Sequence, residues 1–256
     1  MFVLLTNDDG IEAPGLLALA REFHSRHELA IVAPDRERSA TAHAITVDRP
    51  LRAKKIEHAL GPAWAVSGTP GDCVKLALTT LLPRRPDVVI SGINRGPNLG
   101  TDIFYSGTVA AALEGVFFGL PAIAVSLATH AATADYSLAA RVASAVAQHL
   151  TDKPTLSQAL LNINVPALPD KEIRGISITR LGTRRYKNVF EARKDPRGQT
   201  YYWLADELIN EDGVDHDTDI AAVAEGKISI TPLHIDLTDY RRLPELQGWL
   251  DGLFDI

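Results

Sequence analysis

The chain has 256 residues, 46% hydrophobic and 23% charged, with a formal net charge of −6. This is the composition of one globular domain, or one with an appendage, and it excludes an electrostatic nucleic-acid binder without excluding small phosphorylated ligands, whose charge a bound cation can meet. The single cysteine, Cys73, excludes an intrachain disulfide; with no leader-like N-terminus and no apolar run of the ~18 residues a membrane helix needs, a cytoplasmic protein away from membranes is expected.

Residues 2–6 form a short apolar run, the pattern of a buried strand, and Asn7-Asp8-Asp9-Gly10 ends it as a turn. Pro14 then opens a helix whose apolar positions are Leu16, Ala20 and Phe23. A second strand is expected at 29–33, closed by Pro34-Asp35-Arg36. Residues 44–66 have extended character, at 45–47, 51–53 and 64–66. Thr69 and Pro70 start a helix running to about residue 82, in which Cys73 is a buried small hydrophobe. Strands follow at 87–91 and 121–126. Between them lie a polar loop of about fifteen residues and a very apolar helix at 109–118. An amphipathic helix ends near residue 150, and 162–165 is one more strand.

Beyond residue 165 the pattern changes. Residues 173–205 are β-like and rich in Arg and Tyr, with a hairpin turn at Asp195-Pro196-Arg197-Gly198. Residues 206–219 are acidic and read as mobile. A strand is expected at about 227–232 and a closing helix at 243–253. The organisation is therefore a catalytic core at 1–165 and a C-terminal segment at 166–256. The alternation of strand and helix, with continuous apolar strands, predicts an α/β fold: a mostly parallel sheet covered by helices on both faces. A polar hairpin is marginal on its own, so this one is expected to pack on a second subunit.

Four loops follow strands in the parallel part and would share one edge of the sheet, where open α/β sheets bind ligands. They hold Asp8 and Asp9, then Ser39, then Asn94 and Asn98, then Ser106-Gly107-Thr108. Adjacent carboxylates repel unless a cation lies between them, and hard oxygen donors suit Mg²⁺ or Mn²⁺. Asn94 and Ser39 can complete such an oxygen shell, while the helix start at 106–108 presents free N–H groups to an anion. Each residue also has a plainer reading. The Asp pair is a solvated turn with one member capping a helix, the asparagines are turn formers, and Ser39 is a loop hydroxyl. His43, nearest the site, reads as a phosphate contact or a surface histidine. His216 and His234 stay ambiguous. G-x-G-x-x-G after a strand, the P-loop and G-x-S-x-G are all missing, which excludes those three site types.

Six motifs in chain order resemble the SurE family of stationary-phase-survival phosphatases, described as 5′- and 3′-nucleotidases. They are TNDDGIxAPG at 6–15, APDRxRS at 33–39, SGTPxDCV at 67–74, SGINRGxN at 91–98, YSGTVxAAxE at 105–114 and ISITPL at 228–233. Ala40 stands where many members carry glycine, a departure that leaves the serine and bears on the loop's backbone. The resemblance implies a Rossmann-like core and one divalent cation per subunit, Mg²⁺ or Mn²⁺, on Asp8, Asp9, Ser39 and Asn94. It implies hydrolysis of nucleoside monophosphates, with short polyphosphate as a further substrate. It also implies homodimers or homotetramers that exchange the C-terminal β segment. On this reading Asn98 and the 106–108 helix start hold phosphate oxygens, and Asp8 or Asp9 orients the attacking water. The alternative is a non-catalytic nucleotide sensor or a receiver-like signalling module.

Overall fold

A strand that is apolar along its length has to be covered on both faces, and three adjacent central strands meet that demand. The computed structural model describes residues 1–187, 189–205, 208–209 and 215–250. β1 (Phe2–Thr6) is buried throughout, β2 (Glu28–Pro34) at all but its first residue, and β5 (Val88–Arg95) over its first six. Val3 and Leu5 pack with Leu16, Leu19 and Phe23 of α1 (Pro14–His24) and with Ala139 and Ala143 of α4 (Ser137–Thr151). Leu4 points the other way, to Val74 of α2 (Pro70–Leu76) and to Val109 and Ala112 of α3 (Gly107–Phe117). The two-residue period of a strand thus divides one apolar run between two cores.

The main sheet has nine strands in the order β3-β4-β2-β1-β5-β6-β7-β13-β8. The newly numbered members are β3 (Ala53–Ile56), β4 (Ala63–Val66), β6 (Ala122–Ala128), β7 (Leu160–Pro166), β8 (Ile176–Ile178) and β13 (Ile228–Leu233). The run β4-β2-β1-β5-β6-β7 is parallel, whereas β3 and β13 join antiparallel. From β1 the chain moves outward to β2, then returns past β1 to β5 and moves the other way. The strand order reverses between β1 and β5, and the crevice at such a switch point is where open α/β sheets hold ligands.

β10 (Val189–Lys194) and β11 (Thr200–Ala205) form the expected antiparallel hairpin, outside the main sheet. Its turn closes with Gly198 N–H donating to the Asp195 carbonyl at 2.9 Å. β9 (Arg185–Tyr186) pairs with β12 (Leu208–Ile209), and α6 (Leu243–Leu250) closes the described chain.

Three expectations need correction. Residues 45–47 are not a strand: the Thr46 N–H and hydroxyl both donate to Asp72, so the backbone there is bound to a side chain, and Val47 is left exposed. The α2 helix gives way to a π-helical turn at Ala77–Leu81. The acidic stretch is not all mobile. Residues 206, 207 and 210–214 lie outside the described residues, but Asp219 is fully buried at the start of α5 (Asp219–Ala224), a helix the periodicity did not reveal. Its carboxylate accepts the N–H groups of Gly100 at 2.7 Å and Gly182 at 2.8 Å.

Candidate active site

Each candidate residue sits where a strand stops. After β1, Asn7 closes its turn on Gly10 in both directions, Nδ2 donating to the Gly10 carbonyl at 2.9 Å and Oδ1 accepting its N–H at 3.2 Å. This holds Asp8 and Asp9 at the switch point. The second loop is tied to the first by the Arg38 N–H, which donates to the Asp8 carbonyl at 2.7 Å. The Ala42 N–H, donating to the Tyr105 carbonyl at 3.1 Å, ties it to the fourth. Ala40 and Ala42 have φ of 55° and 50°, the left-handed region that favours glycine, so the departure at Ala40 has a physical cost.

The third loop leaves β5 through a bulge. Ser91 stands opposite Ala124 and Asn94 opposite Ser126, three steps against two. The extra residue re-aims the strand end, as bulges beside active sites do. Gly92 makes it possible: its φ is 142°, and a Cβ there would lie 2.4 Å from the Val125 carbonyl oxygen.

Asp8, Asp9, Ser39, Asn94, Asn98 and Ser106 line one open cavity of about 470 Å³. Asp8 is 4% exposed, and its Oδ1 accepts the Thr108 hydroxyl at 2.6 Å. Burial raises the Asp8 carboxyl to about 6, opposed by Thr108 and reinforced by the Asp9 charge. Burial raises Asp9 as well, although its Oδ2 accepts the Arg95 N–H at 3.2 Å. The pair is thus held in a place where its charge is unwelcome, the condition a cation relieves. Asn94 Nδ2 donates to the Gly96 carbonyl at 2.9 Å, which leaves Oδ1 as the free donor atom. Ser39 is exposed, and its hydroxyl donates to Glu37 Oε1 at 2.7 Å with its oxygen lone pairs still open. Among the described residues no three His, Cys, Asp or Glu side chains form a metal-holding group. A cation here would rely on two carboxylates with amide and hydroxyl oxygens, a hard donor set that fits Mg²⁺ or Mn²⁺.

The helix start divides its tasks. Ser106 caps α3 by accepting the Val109 N–H at 3.1 Å, and it faces the cavity. Thr108 is fully buried and spends its hydroxyl on Asp8. Gly107 lies so close to Asp8 that a Cβ would sit 2.9 Å from the Asp8 Cβ. His43 is neither a surface histidine nor part of this cavity: Nε2 lies 2.8 Å from Glu114 Oε2, and its ring stacks on Phe117. His216 is exposed, and His234 lines a separate apolar cavity with Phe104 and Val109. Sequence reasoning missed Glu37, Arg95, Asp102 and His130 in the wall. His130 follows β6, whose loop meets the same sheet edge, so the strand order was the signal that would have found it.

Fold and site together define a Rossmann-like α/β protein with an oxygen-rich acidic cavity at its topological switch point. Residues 3–188 match the profile of the family described as Survival protein SurE. The chain is 54% identical over 255 residues to the 5′-nucleotidase SurE of Heliobacterium modesticaldum, covering 98% of this chain and 93% of that one. It is 53% identical to the protein of the same description from Carboxydothermus hydrogenoformans, with 99% and 97% covered. The crystal structure of the SurE protein from Aquifex aeolicus superposes with a TM-score of 0.83 at 38% identity, covering 98% of this chain and all of that one. The chain belongs to the SurE family.

Proposed function

We propose that this protein is a metal-dependent 5′-nucleotidase that hydrolyses nucleoside 5′-monophosphates, with 3′-monophosphates and short polyphosphate as further substrates. The observation that carries the reading is the Asp8–Asp9 pair, Asp8 buried and Asp9 half-buried, set beside the start of α3 in one cavity, in a chain whose curated relatives are 5′-nucleotidases over nearly their full length. Asp8, Asp9, Asn94 and Ser39 would hold one Mg²⁺ or Mn²⁺ ion per subunit. When bound, it supplies positive charge to a phosphate oxygen and to the charge that develops there.

The chain's own groups do the rest. The Ser106 hydroxyl, the Gly107 N–H and the Asn98 amide hold the remaining phosphate oxygens in fixed orientation, where they cost no reorganisation as the reaction proceeds. Thr108 works through Asp8: its hydroxyl fixes one carboxylate oxygen and leaves the other for the cavity. Asp9 is anchored through Oδ2 by the Arg95 N–H, and its second oxygen can orient the attacking water and take its proton. Tyr105 lines the cavity and is 68% exposed, a ring free to stack on a base.

Phe190, Tyr202 and Trp203 on the hairpin and Trp249 on α6 are all more than half exposed. Such apolar faces suit a homodimer or homotetramer built with the 173–205 segment as the exchanged element on a 1–165 core. The single buried cysteine fits a reducing cytoplasm. The test is phosphate release from a panel of 5′- and 3′-nucleotides in Mg²⁺, Mn²⁺ and EDTA. Metal-dependent release from AMP supports the reading, and AMP binding without release would instead assign a sensor.

A further inference from the structure

The loop that carries Asn98 is held in an unusual way. Asn98 belongs to no strand, yet both polar groups of its peptide are bound as a sheet would bind them. Its N–H donates to Asn164 Oδ1 at 2.9 Å, and its carbonyl accepts Asn164 Nδ2 at 2.9 Å. One side-chain amide thus supplies the donor and the acceptor that a neighbouring strand would supply. Asn162, two residues earlier on β7, donates a second Nδ2 bond to the same carbonyl at 2.9 Å. The Asn98 side chain is held as well, with Nδ2 donating to Ser126 Oγ at 2.8 Å.

These partners follow the sheet register. Asn162 and Asn164 lie on the same face of β7, and Ser126 of β6 stands opposite Asn164. All three are fully buried. Asn162 Oδ1 is buried without a hydrogen-bond partner among the described residues. An unpartnered oxygen does not itself stabilise the fold. What its side chain does accomplish is the bond to Asn98.

Asn98 is 7% exposed and faces the cavity that holds Asp8, Asp9 and Asn94. With one Nδ2 hydrogen committed to Ser126, the amide plane is set and the second hydrogen has a fixed direction. A loop residue placed this way has the rigidity that contacts to a reacting phosphoryl group demand, since small misplacements of such groups slow turnover strongly.

We propose that Asn162, Asn164 and Ser126 are positioning residues for the reaction, acting through Asn98 and not through the cation ligands. The proposal rests on the reading above that Asn98 contacts the substrate phosphate. It is tested by a double-mutant cycle on AMP hydrolysis with full-length protein. Asn98→Ala should lower kcat about 100-fold, and Asn164→Ala at least about 10-fold, with KM and Mn²⁺ affinity each within about threefold of wild type. The double variant Asn98→Ala/Asn164→Ala should be no slower than Asn98→Ala alone, because a residue that acts through Asn98 has nothing left to position. Ser126→Ala, which removes one acceptor and little volume, gives the same test if Asn164→Ala does not fold: its loss should also vanish in the Asn98→Ala background. Losses that multiply would overturn the proposal and assign these residues a purely structural role. Wild-type turnover in Asn98→Ala would refute the reading of Asn98 itself, and the positioning role with it.

Discussion

Replacing Asp8 by Asn separates what this carboxylate costs the fold from what it contributes to the chemistry. Burial raises it from the usual 3.8 to about 6, with the Thr108 hydrogen bond opposing and the Asp9 charge adding. An acid raised on folding is held protonated by the native state more firmly than by the unfolded chain. Its stabilising contribution is therefore complete below 3.8 and is lost as the pH rises through 6. A rise from 3.8 to about 6 corresponds to a cost of about 3 kcal/mol to the metal-free protein at neutral pH. The amide of Asp8→Asn has no charge to desolvate, and its carbonyl can still accept the Thr108 hydroxyl. In EDTA near pH 7.5 the variant should melt roughly 5–10 °C above wild type, and near pH 4 the two should coincide. Thermal melts across that range, with phosphate release followed alongside, check both halves: the variant should gain stability while losing at least about 100-fold in turnover. A variant less stable than wild type at neutral pH, or a difference flat with pH, would refute the reasoning.

Gly107→Ala should be destabilising by about 1–3 kcal/mol and should lower turnover, because the new methyl meets Asp8 at 2.9 Å. Helix propensity alone predicts the opposite sign, so chemical denaturation decides between them. Ala40→Gly should stabilise by about 0.5–1 kcal/mol, the relief of a left-handed alanine less the added freedom of glycine in the unfolded chain; a loss in denaturant midpoint would contradict this. Burial raises the Glu114 carboxyl, but the bonds from His43 and Lys75 outweigh it, and the group sits below its usual 4.5. Its contribution is present above 4.5 and lost as the pH falls through the lower folded value. Glu114→Gln should thus cost about 2 kcal/mol near neutrality, a penalty that melts in acid should show fading as the pH falls below 4.5.

The sheet was legible because its information is local. Apolar runs of five to seven residues, each closed by a polar turn, give β1, β2 and β6 directly, and Thr69 with Pro70 marks the start of α2. The cluster of Asp8, Asp9, Ser39, Asn94 and Ser106 was legible for a related reason, since loops that follow parallel strands must meet at one edge. What stayed hidden depends on long-range bonds between side chains and backbone. Thr46 gives its N–H to Asp72, so a β-branched stretch at 45–47 never joins a ladder. Asp219 reads as one acid among many, yet it caps Gly100 from 119 residues away. Asn162 and Asn164 look like polar interruptions of a strand until the fold brings Asn98 above them. Periodicity registers which face a residue occupies and carries no record of such partners.

The central claim is that the Asp8–Asp9 pair anchors a cation on which phosphoester hydrolysis depends. Titrating Mn²⁺ into EDTA-stripped protein, with heat of binding and phosphate release from AMP measured on the same samples, addresses it most directly. The account predicts one ion per chain, activity that rises in step with occupancy, and loss of both in Asp8→Asn. Full turnover in the stripped protein, or an Asp8→Asn variant that binds Mn²⁺ and hydrolyses AMP as wild type does, would contradict it.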